Sequence, residues 1–101
     1  MRLNFSPKAA LDLEEIGDYI ARDNPTRACS FVDEIKAHCY KIAETPTAFA
    51  LRNDLMPGLR MSVHGRYLLF FHVQNEEVRI ERVIHSARRL EDLLLRHYGE
   101  T

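Results

Sequence analysis

The sequence has few cysteines, no long apolar run and no excess of charge of either sign. Cys29 and Cys39 are too few for a disulfide scaffold, and their spacing within one predicted helix separates them by roughly 15 Å. No apolar stretch approaches the length of a membrane span, and the amino terminus lacks the apolar core of a signal peptide. We therefore expect reduced cysteines, no membrane partner and a cytoplasmic protein.

Motifs that would indicate a cofactor or a metal are also missing. The sequence contains no glycine-rich phosphate loop and no G-x-S-x-G nucleophile elbow. His64, His72 and His97 lack the spacing of zinc ligands. We expect no cofactor and no metal. The formal net charge of −1 argues against bulk electrostatic attraction to nucleic acid, so we do not expect the chain to bind nucleic acid alone.

Lysine is absent after Lys41, and every basic residue from position 52 to 101 is arginine. The planar guanidinium suits bidentate contacts with carboxylates or phosphates, but its very high pKa makes it a poor proton carrier. The second half of the chain therefore favours recognition over proton transfer.

The 101 residues are enough for one domain spanning 1–101 and too few for two. Residues 2–5 form a predicted strand, and Ser6-Pro7 then gives the cap and first-turn proline of a helix. Asn24-Pro25 repeats this signal and starts a second helix, which Thr45-Pro46 ends. The short link predicts an antiparallel helical hairpin.

The second half predicts a three-stranded antiparallel meander over roughly 59–64, 67–73 and 77–85, since the separators are short enough for hairpins. Residues 47–57 show no clear period and are interpreted as a loop, with a short helical turn near Asp54. Ser86 is a predicted cap for a short carboxy-terminal helix. The predicted class is α+β, with the helical hairpin packed against a small, mainly antiparallel sheet.

Several short markers recur in one order along the chain. They are Asp12-Leu13, Tyr19-Ile20, Asn24-Pro25, Pro57-Gly58-Leu59-Arg60, Phe70-Phe71 and Arg82-Val83-Ile84-His85, with Ala87-Arg88 behind them. No single piece is specific, but their joint order resembles the ParE-type toxins of the RelE/ParE superfamily, whose fold has the predicted element order.

The resemblance implies a toxin of a type II toxin–antitoxin system that arrests growth by inhibiting DNA gyrase and is neutralised by a cognate ParD-like antitoxin. Two alternatives stay open. One is a ribosome-dependent mRNA endoribonuclease of RelE type that uses Arg60, Arg66, Arg82 and His85. The other is a superfamily member that has lost toxicity and survives as a binding module. The arginine-only second half favours the gyrase inhibitor, which has no catalytic residues.

Arg82 interrupts an apolar row on the last strand, because alternation places Val78, Ile80, Arg82 and Ile84 on one face. Its guanidinium either meets an acidic segment of a partner or pairs internally with a carboxylate of the first helix, such as Asp12 or Glu15. Both interpretations stay open.

The other candidate contacts with the target or the antitoxin follow the last strand. Arg88 lies in the predicted first turn of a helix, where the helix dipole disfavours cations, and is either a contact residue or a surface ion-pair partner. His85 is a general acid–base candidate, but a structural role with a hydrogen bond at the strand end is favoured. Leu90, Leu93 and Leu94 form an apolar stripe, which serves the core or a target surface.

Overall fold

Both helices begin where a capping residue precedes proline. In the structure, a computed structural model that describes residues 1–88, the Ser6 hydroxyl accepts a hydrogen bond from the Ala9 amide at 2.9 Å. The Asn24 side chain accepts one from the Arg27 amide at 3.0 Å. Each cap satisfies an otherwise free N–H group at a helix start. Helix α1 therefore runs Pro7–Ala21 and α2 runs Pro25–Glu44, as the sequence predicts.

A five-stranded sheet packs against the hairpin of α1 and α2 in the order β1-β5-β4-β3-β2. The strands are β1 (Arg2–Phe5), β2 (Ala50–Leu51), β3 (Arg60–His64), β4 (Tyr67–Gln74) and β5 (Glu77–His85). Strand β1 pairs with β5 in parallel, and the other neighbours are antiparallel. The predicted α+β class and the meander are confirmed. The predicted carboxy-terminal helix lies outside the described residues.

The segment between α2 and β3 contains structure that the sequence pattern did not predict. A 3₁₀ turn over Pro46–Ala48 leads into β2, which pairs with β3 at the sheet edge. A strand of two residues has too few positions to show alternation, so its pattern matches that of a loop. The turn near Asp54 is present, since the Arg52 carbonyl accepts hydrogen bonds from the Leu55 and Met56 amides.

Apolar residues of β4 are buried on both faces of the sheet. Leu69 and Phe71 lie under the helices, in a cluster with Leu13, Ile16, Ile35, Cys39 and Ile42. Leu68 and Phe70 point to the opposite face, where Leu59 and Ile84 are buried and Leu55 and Met56 of the preceding loop pack on them. Burial on both sides explains why this strand is a continuous apolar run rather than an alternating one.

Strand β5 contains a β-bulge at Glu81, which has no residue opposite it on β4. Before the bulge, Ile80 lies in the cluster under the helices; after it, Ile84 lies in the cluster on the other face. The prediction that Val78, Ile80, Arg82 and Ile84 share one face is therefore wrong. One extra residue shifts a period-two pattern by one position.

The bulge residue Glu81 is buried and bonded to two side chains. His72 Nδ1 lies 2.8 Å from one carboxylate oxygen, and Arg79 Nε donates to the other at 3.1 Å. The hydrogen bond to Glu81 raises the pKa of His72 above its ordinary value, against the effect of burial. Burial raises the pKa of Glu81, but the bonds from His72 and Arg79 outweigh it and hold that pKa below its ordinary value.

This pair predicts a pH window for its contribution to stability. The His72 contribution is complete below the ordinary histidine pKa of 6.5 and is lost as pH rises through the raised value. The Glu81 contribution is complete above 4.5 and is lost as pH falls through the lowered value. As the pH rises from about 5.5 to 8.5, we expect the urea midpoint of the parent protein to fall more than that of His72→Gln. The glutamine side chain does not titrate in this range. Equal falls would contradict the assignment.

Candidate functional site

A groove runs between α1 and the end of the β4–β5 hairpin. Strand β1 pairs with β5 only as far as Ile80, so α1 rather than a strand lies beside the remainder of β5. The groove has a volume of about 570 Å³. We call it the charged groove, and its polar lining consists of Asp12, Glu15, Tyr19, Arg22, Arg66, Tyr67, Arg82, His85 and Arg88. Arg66, Arg82, His85 and Arg88, four of the residues selected from sequence, thus lie together.

Arg82 and Asp12 form a buried pair at the floor of the charged groove. Arg82 donates from Nε and Nη2 to the two oxygens of Asp12 at 2.8 and 2.9 Å, and the Val83 amide donates to the same carboxylate at 2.9 Å. Only 9% of the Arg82 side chain and 11% of the Asp12 side chain are exposed. The internal pairing of Arg82 is thereby confirmed, and Asp12 fastens α1 to the edge of β5 that β1 leaves uncovered.

His85 is held at the end of β5 by local contacts. Its Nδ1 accepts a hydrogen bond from the Ala87 amide at 3.1 Å, and its ring meets the edge of Tyr67 with centroids 5.2 Å apart. The Ser86 amide donates to the Arg66 carbonyl at 2.8 Å, which closes the hairpin. His85 therefore has the hydrogen bond at the strand end that the sequence predicted.

Three exposed arginines surround the buried pair. Among residues 1–88, no carboxylate forms an ion pair with Arg22, Arg66 or Arg88. The Arg22 guanidinium lies 5.9 Å from the ring centre of Tyr19, a residue that is 66% exposed. Tyr19, Arg22 and Tyr67 were not among the site residues predicted from the sequence. Helical spacing from Asp12 would have placed Tyr19 near it, two turns along α1.

Arg60 lies apart from this group. It is the first residue of β3, and its Nη1 donates to the Phe49 carbonyl at 2.7 Å and to the Thr47 carbonyl at 3.4 Å. The guanidinium thus anchors the segment that precedes β2. The structure does not bring Arg60 together with Arg66, Arg82 and His85. Leu90, Leu93 and Leu94 lie outside the described residues.

A histidine pair joins α2 to β3, and no sequence signal indicated it. His38 Nδ1 lies 2.9 Å from His64 Nδ1, and His38 Nε2 lies 2.8 Å from the Ser62 hydroxyl. Burial lowers the pKa of His38, and the charges of His64 and Lys41 add to this effect. These contacts link α2 to β3. Over residues 1–88, no group of three or more potential ligands could hold a metal ion.

A second groove lies between α1 and α2, reaches Phe5 of β1 and is mainly apolar. Small residues line it, and we call it the hairpin groove: Ala10, Gly17, Ala21, Ala28 and Cys29, with Leu13 and Val32. Its volume is about 830 Å³. A Cβ atom on Gly17 would lie 3.5 Å from a Val32 methyl group. Its lining also includes Phe5, Pro25 and the charged residues Glu14, Asp18, Asp33 and Lys36. No helix within residues 1–88 is long and apolar enough to cross a membrane.

Comparison with known proteins gives a consistent result. The family model described as the ParE toxin of the type II toxin–antitoxin system parDE matches residues 3–90. A solved structure described as the chromosomal ParDE toxin–antitoxin system from P. aeruginosa is similar, with 27% identity and a TM-score of 0.74, over 84% of this chain and 95% of that chain.

The intact E. coli RelBE toxin–antitoxin complex has a similar fold, with 20% identity and a TM-score of 0.61, over 87% of this chain and 98% of that chain. A search of curated proteins gave no significant match. Because the family model covers most of the sequence, the chain belongs to the ParE toxin family of type II toxin–antitoxin systems.

Proposed function

We propose that this protein arrests growth by inhibiting DNA gyrase without cutting nucleic acid, and that a cognate ParD-like antitoxin neutralises it. Membership of the ParE family carries the proposal. The similar structure from P. aeruginosa is a ParDE system, which supports an antitoxin as the partner.

The position of Arg60 supports an inhibitor over a nuclease. A RelE-type mechanism here would draw on Arg60, Arg66, Arg82 and His85 as one set. Arg60 instead donates to the backbone carbonyls of Thr47 and Phe49, which precede β2, and Arg82 is bonded to Asp12. His85 Nδ1 is occupied by the Ala87 amide. General acid–base catalysis needs groups that can act together on the reacting atoms, and the separation of Arg60 from the other three argues against one catalytic set.

The hairpin groove is the surface we propose for the antitoxin. Antitoxin segments that are disordered before binding gain affinity by covering apolar surface, and an amphipathic helix lies well in a shallow groove lined by small residues. The lining from Ala10 to Val32 supplies such a surface. Glu14, Asp18 and Asp33 outnumber Lys36, so basic side chains at the edges of the antitoxin helix would complement them.

Two assays run side by side test the proposed target. Purified toxin is expected to reduce supercoiling by gyrase and to accumulate cleaved DNA, and added antitoxin is expected to restore supercoiling. In a translation-coupled assay, the same toxin should leave mRNA intact. His85→Ala should retain gyrase inhibition, because His85 makes local contacts at the strand end.

Codon-positioned mRNA cuts that disappear in His85→Ala would replace the proposal with a RelE-type nuclease. Inactivity in both assays and unimpaired growth on expression would replace it with a non-toxic binding module.

A further inference from the structure

We propose that the charged groove binds an acidic segment of a protein partner, with Arg22, Arg66 and Arg88 as its contacts. Arg82 acts as a positioning residue that fixes α1 against β5 and does not itself meet the ligand. This inference does not depend on which enzyme is the cellular target.

The charges within the groove leave a positive excess. Asp12 neutralises Arg82 through two hydrogen bonds and is nine-tenths buried beside it. Three exposed arginines remain in the groove. Glu15 is the groove carboxylate that could offset them, and within residues 1–88 it forms no ion pair. Arginines around a concave surface present planar donors that match carboxylates in bidentate geometry. The groove therefore attracts anionic groups, although the whole chain has a net charge of −1.

The backbone positions of Arg66 and Arg22 are set by ordered elements. Arg66 lies in the β3–β4 turn, whose carbonyl accepts the Ser86 amide. Arg22 is the C-cap residue that follows α1, and its guanidinium lies over the Tyr19 ring. Helix α1 is itself tied to β5 by Asp12. Binding groups held in place before the ligand arrives lose less conformational entropy on binding.

The mixed lining favours a peptide over a nucleic acid. Ile16, Ile84 and the ring of Tyr67 line the groove together with Tyr19, and these surfaces suit apolar side chains placed between carboxylates. A nucleic-acid strand carries a phosphate at every nucleotide, so Glu15 would repel it along the groove. Protein surfaces that bind single strands combine aromatic platforms with a strongly basic channel, and here two of the lining residues are acidic.

Fluorescence anisotropy with the full chain tests the inference. The probe is a labelled twelve-residue peptide of alternating glutamate and valine, compared with its glutamine analogue and with a labelled oligothymidylate. We expect the glutamate peptide to bind at least about tenfold more tightly than the glutamine analogue and to weaken as salt rises. Arg66→Glu and Arg22→Glu should each weaken it by about tenfold. Glu15→Gln should tighten it, because this change removes a repelling charge.

Lys8→Glu is the matched control, since it makes the same charge change on an exposed residue of α1 outside the groove and should leave the affinity within about twofold. Urea unfolding of each variant verifies that the fold is retained. Equal losses in Lys8→Glu and Arg66→Glu would overturn the proposal, because net charge alone would then explain binding. Tighter binding of oligothymidylate than of the glutamate peptide would also overturn it. Gyrase inhibition in the absence of peptide binding would refute this inference and leave the proposed function intact.

Discussion

Arg82→Ala is expected to lower the free energy of unfolding by about 3–5 kcal/mol, because it leaves the Asp12 carboxylate buried without its cation. Asp12 accepts two bonds from the guanidinium and one from the Val83 amide, and its side chain is only 11% exposed. Urea denaturation of the purified toxin measures the loss, with circular dichroism reporting the transition.

Two further variants give this measurement its meaning. Arg82→Met combined with Asp12→Asn removes both charges and keeps an oxygen for the Val83 amide, so it should recover most of the loss. Arg27→Ala breaks an exposed ion pair with Glu34 on α2 and should change stability little. A loss below about 1 kcal/mol in Arg82→Ala would show that the pair is solvated and would remove Arg82 as a positioning residue.

Cys29→Trp is expected to weaken antitoxin binding by at least about a hundredfold, because an indole at this position fills the hairpin groove. Cys29 is exposed and lines the groove, so the substitution obstructs the surface without entering the core. Titration calorimetry with the cognate antitoxin measures the affinity. In cells that express both proteins, the variant toxin should stop growth that the antitoxin otherwise permits.

Ala37→Trp places the same side chain on α2 at an exposed position outside the groove and should bind antitoxin normally, as should Cys29→Ala. If Cys29→Trp is folded and is neutralised as well as the parent protein, the antitoxin does not bind in the hairpin groove.

Local signals sufficed to predict most of the fold. Ser6-Pro7 and Asn24-Pro25 fix both helix starts through caps that need no tertiary contact, and short turns fix the meander. The bulge at Glu81 has no such signal. The bulge residue Glu81 bonds to Arg79 on its own strand and to His72 on β4. Alternation within one strand does not reveal these bonds.

The candidate site was predicted only in part, for a related reason. Three arginines and one histidine after residue 65 share the charged groove because all four lie on the β4–β5 hairpin or directly beside its open end. Its second wall is α1, and the contact between Asp12 and Arg82 spans 70 positions of sequence. Arg60 has the same side chain as Arg66 and Arg82, so the sequence does not distinguish it from them. The register of β3, however, turns it toward the segment before β2. Residue type predicted which chemistry was present, whereas tertiary pairing decided which side chains meet.

The parallel pairing of β1 with β5 has a consequence for synthesis on the ribosome. The amino-terminal strand finds its partner in residues 77–80, and Ser6 bonds to Glu81, 75 positions later. Contacts of such long sequence separation form late, because the intervening chain must close a large loop. The nascent toxin therefore cannot complete its sheet until β5 has emerged. Any binding that needs the charged groove is therefore delayed to that moment.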